Sequence, residues 1–403
     1  MGKASGNWSI LVIWLHALLA EKEKMKLDTG NVKLEDASKK IASCSGVPVS
    51  KPPLIISASR ATDIPAFHVQ WLRERLEAGF VERINPFNQK PSIVSLKEAR
   101  VFVFWTKNPK PMFPLLDELD ARELLYYFQF TLNDYDAEGY EPGVPKLEER
   151  VETFMALSKR LGKDSVIWRF DPLLLTDKVT VDDLLKKVER VGDLIHPYTS
   201  RFVFSFADIV GYKRVQKRLH REGVHAREFT IPEMQVFAAG VQQLNQRWGL
   251  SVSTCAEAID LDAYGIEHGR CIDDRLLIKL FPQEAKLMAF LGYEQGLGGE
   301  LVSIAKKRKL KDPGQRKACG CIVSKDIGRY DTCSHGCSYC YATRAIIKPT
   351  PDGILIQPMS KASIDAGCGI LNSEKPEVAI KARAIYKIEE EKLEERRARR
   401  CIG

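Results

Sequence analysis

No run of apolar residues in this 403-residue chain is long enough to cross a membrane. The stretch WSILVIWLHALLA (8–20) has thirteen residues, where a spanning helix needs about twenty. A secretory leader is disfavoured as well, because Lys3 is the lone basic residue before the run and no small-residue cleavage site follows it. The run reads as an incidental amphipathic extension, or as the result of a start codon set upstream of a true beginning at Met25, which leaves open whether residues 1–24 are translated. Cysteine is sparse too. Ten in 403 residues do not make a disulfide-stapled secreted scaffold, and all but Cys44 fall after residue 254. Charge of one sign is in small excess, a formal +8, and part of it is local. The run EEEKLEERRARR (389–400) mixes signs at helical spacing and suits an exposed helix. The run KKRKLKDPGQRK (306–317) leads into a CxC pair, and a basic segment there suits an anionic substrate, nucleic acid included. No short internal repeat is visible. At 44% hydrophobic, the chain can bury the core of one barrel-sized domain with extensions at both ends.

What is present is a concentration of thiols towards the C-terminus. Cys333, Cys337 and Cys340, in TCSHGCSYCYA, stand at the CxxxCxxC spacing. Iron–sulfur clusters usually take four thiolates, so a loop that offers three leaves one iron of a [4Fe–4S] cube open to a small molecule. Zinc competes, since His335 lies inside the motif, but structural zinc sites draw their ligands as two separated pairs. Cys255, Cys271, Cys319 and Cys321 make a further set of four, the complement for a second [4Fe–4S] cluster or a zinc ion. Cys255 follows the β-like run LSVST and by itself would pass for a small buried residue. Cys271 and the CxC pair sit in polar, glycine-containing loops, where that account does not apply. Cys44, Cys368 and Cys401 stand alone and are assigned nothing.

From residue 54 apolar, β-branched and aromatic runs alternate with segments of helical period. The runs are 54–60, 101–107, 124–132, 165–175, 201–208 and 250–257; helical segments include 68–79, 147–162 and 181–195. This alternation predicts an α/β protein with a parallel sheet and crossover helices, curled into a partial or full (β/α) barrel. In such barrels polar residues at the carboxyl ends of strands face the active site. Here these are Arg60 and Asp63, Thr106 and Lys107, Asn133 and Asp134, Arg169 and Asp171, Asp208, and Cys255 with Glu257. Asp134 and Asp208 are expected to be helix caps. Lys107 and Arg169 are not caps, because a cation at the end of an apolar strand needs an anionic partner or ligand.

The cysteine loop resembles the cluster loop of radical S-adenosylmethionine enzymes, including the aromatic Tyr339 before the last cysteine. The resemblance implies that Cys333, Cys337 and Cys340 hold the cluster and that its open iron is chelated by the amino and carboxylate groups of S-adenosylmethionine. One electron then cleaves the sulfonium to a 5′-deoxyadenosyl radical, which abstracts hydrogen from the substrate. It also implies Tyr339 beside the adenine and a small electron donor such as flavodoxin or ferredoxin. Arg60, Asp63, Lys107, Arg169 and Glu257 would then contact substrate.

The stretch FWTKNPKPMFPLLDEL (104–119) and the run 128–177, with Glu141, Pro142, Pro145, Arg150, Asp171 and Pro172, resemble the spore photoproduct lyase-like branch of these enzymes. By that analogy the substrate would be a nucleobase. In that branch the cluster loop follows the first strand, whereas here it comes last. A circular permutation explains the order, with IVSKDIGRY as the displaced strand lying beside LIISASR in space. From SASRATDIP through TCAEAIDL, GIEHGRCID and CGCIVSKDIG to the cysteine loop, the chain also resembles a family of unknown function, DUF1848, over roughly residues 53–345. This sets the expected domains: an extension over 1–52, the barrel over 53–345 with the cluster-binding unit C-terminal, and an extension with a charged helix over 346–403. The tripeptide at Gly298, Gly299 and Glu300 matches the family's amino-group-binding GGE but is read as a surface loop. An oxygen-sensitive cluster places the protein in the cytoplasm. The competing reading is a non-catalytic zinc- or iron–sulfur-binding protein acting in nucleic-acid binding or electron transfer.

Overall fold

The six runs read as strands are strands, each shorter than its apolar run. They are β1 (Ile55–Ala58), β2 (Val101–Thr106), β3 (Leu125–Thr131), β4 (Val166–Leu173), β5 (Arg201–Phe206) and β6 (Ser251–Thr254). Two short strands complete the sheet: β7 (Ile266–His268), which was not foreseen, and β8 (Lys325–Asp326), which lies in the IVSKDIGRY segment expected as the displaced strand. This computed structural model describes residues 50–85, 90–296, 300–303 and 310–343, all in one compact unit. The N-terminal apolar run, the charged helix expected over 389–400, Cys44, Cys368, Cys401, Gly298, Gly299 and residues 306–309 lie outside the described residues.

The sheet runs β7-β6-β5-β4-β3-β2-β1-β8, and every pairing is parallel. Seven strands thus follow chain order, and the last joins beside the first, where Ile56 pairs with Lys325 and Ser57 with Asp326. The spatial neighbour expected for LIISASR is the one observed. Asp326 ties the junction, accepting from Ser57 Oγ at 2.8 Å and from the Arg60 N–H at 2.9 Å. Among the described residues no pairing joins β7 to β8, so the observed architecture is a parallel α/β sheet with two edges rather than a closed barrel.

Both faces of the sheet are buried, as parallel sheets require. One carries Phe102, Phe104, Phe128, Phe130, Trp168, Phe170, Phe202 and Phe204 beneath the crossover helices. The other carries smaller residues, Ile55, Val101, Val103, Ile167 and Val203, together with Tyr127. The helices form where the 3.6-residue period is uninterrupted and the ends are capped. Val181–Ile195 buries Leu184, Val188, Val191 and Ile195, and Thr180 and Asp183 form its capping box. Ile231–Trp248 starts with the same device, Thr230 with Glu233, and ends at Gly249 in the left-handed region. The helices expected over 68–79 and 147–162 are Val69–Ala78 and Leu147–Leu161. An antiparallel hairpin, Phe80–Ile84 with Pro91–Ser95, interrupts the alternation between β1 and β2.

Candidate functional site

Side chains alternate faces along a strand, so the face that shows Val103, Tyr127, Ile167 and Val203 also shows Trp105, Lys107, Gln129, Arg169, Asp171 and Ser205 towards the strands' carboxyl ends. Over those ends lies a cavity of about 1120 Å³. Its walls include Arg60, Asp63, Lys107 and Arg169 together with all seven cysteines of the two sets. Along the chain the two sets lie between 12 residues apart (Cys321 and Cys333) and 85 (Cys255 and Cys340), yet they share one space.

The CxxxCxxC loop is docked by buried polar contacts. Arg218, from the helix Lys213–Arg221, donates from Nη1 to the Cys337 carbonyl at 2.8 Å and from Nη2 to the Thr343 carbonyl at 2.5 Å. The Ser338 N–H donates to the Tyr140 carbonyl at 2.9 Å, and the Gly143 N–H to the His335 carbonyl at 2.8 Å. His335 does not face a metal. Its Nε2 lies 2.7 Å from Asp63 Oδ2 and its Nδ1 3.1 Å from the Gly143 carbonyl, so both ring nitrogens are engaged. A Cβ at Gly143 would lie 2.7 Å from the carbonyl oxygens of both Ser334 and His335. Gly143→Ala is therefore expected to cost about 1–3 kcal/mol through overpacking and to lower the iron held after reconstitution. Unchanged melting and unchanged iron would show that this contact does not dock the loop.

Behind the loop lies an ionic network that sequence reasoning only partly found. Lys107 Nζ donates to Glu141 Oε1 at 2.7 Å and to Tyr339 Oη at 3.0 Å; Tyr339 in turn donates to Glu141. Asn133 Nδ2 reaches Glu141 Oε1 at 2.9 Å, and Arg150 Nη1 stands 3.6 Å from Oε2. Burial raises the Glu141 pKa, but Lys107 and Arg150 lower it further, to about 2. Burial likewise opposes the charge on Lys107, and Glu141 outweighs it. Burial pushes the Cys333 thiol up to about 12, with Asp63 adding, and lifts Cys337 as well, against the pull of Lys107. Both shifts favour the thiol over the thiolate, so any metal bound there would have to displace protons.

The second set gathers around two guanidiniums. Cys255 Sγ and Cys271 Sγ are 3.2 Å apart, and Cys321 is in hydrogen-bond contact with Cys271 and Cys319. Arg169 Nη1 donates to Cys271 Sγ at 2.9 Å and to Gln129 Oε1 at 3.2 Å, while its other nitrogens hold Asp171. Arg60 lies over the Trp105 ring at 4.9 Å, and Arg169 over the same ring at 5.1 Å. The S–H of Cys271 lowers the Cys255 pKa to about 7 against burial, with Arg169 assisting.

Several expectations change with this geometry. Asp134 and Asp208 cap no helix: Asp134 pairs with Arg190 at 3.4 Å and Asp208 pairs with Arg316, because the chain after each strand continues as a loop before the next helix. Asp63 is the cap instead, accepting from the Ala66 N–H at 3.0 Å, and its other oxygen accepts from the Lys107 N–H at 2.7 Å. Both oxygens are thus committed to holding β1, β2 and the cysteine loop together. Glu257 accepts from the Phe206 N–H at 3.0 Å and is not among the residues lining the cavity; burial lifts its pKa to about 8. Arg218 was missed, although one signal existed: it falls between Val215 and Leu219 on the buried stripe of its helix, where a cation needs an internal partner.

Among the described residues no group of three or more His, Cys, Asp or Glu side chains is arranged to hold a metal ion. A four-iron cube sets a different requirement, since each thiolate binds a separate iron and the sulfurs stand further apart than the ligands of one ion. Three thiols from one loop, facing a cavity, fit that donor set.

The molecule is therefore a parallel α/β protein with two thiol sets around one cavity. Residues 55–342 match the family described as "Domain of unknown function (DUF1848)", and the chain belongs to that family. No curated protein matches it. Among solved structures, a Bacteroides thetaiotaomicron protein provisionally named an alpha-L-fucosidase is similar at 13% identity, over 58% of this chain and 70% of that one, with a TM-score of 0.28. A likeness that distant carries nothing about function. No helix among the described residues is long and apolar enough to cross a membrane.

Proposed function

We propose that the protein is a radical S-adenosylmethionine enzyme in which Cys333, Cys337 and Cys340 hold a [4Fe–4S] cluster and hydrogen is abstracted from a substrate bound in the cavity. The observation that carries this reading is the opening of a three-thiol loop onto that cavity, with its internal histidine engaged elsewhere. Cys333, Cys337 and Cys340 would hold a cluster that, once reduced by a flavodoxin- or ferredoxin-like donor, would supply one electron to the sulfonium of S-adenosylmethionine. At about 1120 Å³ the cavity exceeds the usual range for one small ligand, roughly 300–1000 Å³, and so has room for cofactor and substrate together.

The chain's own residues keep the loop in register and its surroundings charged. Arg218 grips its backbone, and the Asp63–His335 contact ties it to β1. Lys107 brings a cation beside Cys337, which favours the thiolate that iron requires, and Glu141 keeps that lysine charged. Tyr339, bonded to Glu141 and packed edge-on to Tyr135 at 6.1 Å between ring centroids, closes the wall behind the loop. The position of β8 beside β1 supports a permuted barrel order, with the cluster-bearing unit moved to the C-terminus.

Protein purified without oxygen, reconstituted with iron and sulfide, and given dithionite and S-adenosylmethionine is expected to release 5′-deoxyadenosine. A protein that takes up only zinc and forms none of this product would overturn the assignment.

A further inference from the structure

We infer that Cys255, Cys271, Cys319 and Cys321 bind a second metal centre through four thiolates, on the wall of the cavity that the CxxxCxxC loop also faces. The thiols come from three separate segments: the end of β6, the loop after β7, and the turn before β8. Each segment is held by its backbone. The Cys271 carbonyl accepts from Tyr127 Oη at 2.8 Å and from Gln129 Nε2 at 2.7 Å. The Cys255 N–H donates to the Phe204 carbonyl at 2.8 Å, and the Ile322 N–H to the Ile272 carbonyl at 3.1 Å. The Ile272 N–H points at Cys321 Sγ, 3.4 Å away.

A simple apolar packing role does not explain this arrangement. Buried thiols in a core ask only for apolar neighbours, whereas these are met by two guanidiniums, that of the buried Arg169 and that of the half-buried Arg60. Arg169 donates to Cys271 Sγ, and Arg60, beside Cys321, has a buried Nη2 with no hydrogen-bond partner. Asp326 already lies beside Arg60, but the buried Nη2 still has an unused donor, which thiolates on a metal would meet. Without metal, Cys255 Sγ and Cys271 Sγ lie 3.2 Å apart and no ready ion site is formed among the described residues. Metal binding would displace whatever protons the four sulfurs carry. Cys255 and Cys319 line the cavity, so the bound metal would face its contents.

The test does not depend on the radical reading. The full-length Cys333→Ala/Cys337→Ala/Cys340→Ala variant, purified without oxygen, is expected to retain metal: either one zinc per chain, or iron with matching inorganic sulfide and visible absorption. Sulfide analysis separates the two sources of the same four-thiolate site. Adding Cys255→Ser or Cys319→Ser should abolish the retained metal. If the triple variant does not fold, Cys319→Ser in the wild-type background should lose one centre and keep the other. A folded triple variant that is metal-free with the four thiols titratable, or one with a Cys255–Cys271 disulfide, would overturn the inference. Loss of metal there speaks to this centre alone, and absence of 5′-deoxyadenosine from wild type speaks to the other.

Discussion

Cys337→Ala is expected to reduce 5′-deoxyadenosine formation to the assay background and to remove the iron bound by the CxxxCxxC loop. Cys337 is the middle thiol of the three and is buried at 6% exposure, so solvent-borne ligands reach its position poorly. The substitution spares the backbone. Arg218 grips the Cys337 carbonyl, and the Cys340 N–H donates to the same carbonyl at 3.1 Å, contacts that alanine keeps. A loss of product in a folded variant would therefore report the thiolate rather than the loop. Ser338→Ala, next along the loop and equally buried, is the control: its main-chain bond to Tyr140 survives, and iron and product should both persist. Product formation undiminished by Cys337→Ala would sink the assignment of this loop.

The second large effect concerns stability. Arg150→Met is expected to cost about 3–5 kcal/mol at neutral pH, the usual result of removing one partner from a buried ion pair. Arg150 and Glu141 are each 1% exposed at the side chain, and Arg150 also donates to the Asn133 carbonyl at 2.9 Å and to Asp136 Oδ1 at 3.0 Å. The pH dependence follows from Glu141. Its pKa falls from 4.5 to about 2, burial being outweighed by Lys107 and Arg150, so the folded state binds fewer protons than the unfolded state between those values. Its stabilising contribution is full above the unfolded pKa and is lost as pH falls through the folded one. Urea unfolding should thus show wild-type stability declining from about pH 4.5 towards 2, and the deficit of Arg150→Met narrowing over the same interval. A deficit independent of pH would show that Arg150 acts through packing alone.

The strands and main helices could be read before the structure because they rest on local periods. Continuous apolar, β-branched and aromatic runs marked β1 to β6, and a period near 3.6 marked the helices within 68–79, 147–162 and 181–195. The short strands Ile266–His268 and Lys325–Asp326 carry too few residues for a period; the second was expected only because the resemblance supplied a place for IVSKDIGRY. The caps were misjudged for a similar reason. Asp63, Asp134 and Asp208 look alike after their strands, and only the distance to the next helix separates the cap from the ion-pair partners.

The sequence by itself determined the parallel α/β pattern, the spacing of the CxxxCxxC loop and the residue types at the strand ends, since each depends on neighbours a few positions away. Tertiary structure alone decided which cation meets which group. Lys107 goes to Glu141 and Arg169 to Cys271, while Arg218 holds the Cys337 carbonyl and Glu257 turns to the Phe206 N–H. Those partners are up to 119 residues apart in these pairs. Burial forces each such group to find an acceptor or donor, but chain topology selects which one comes within reach.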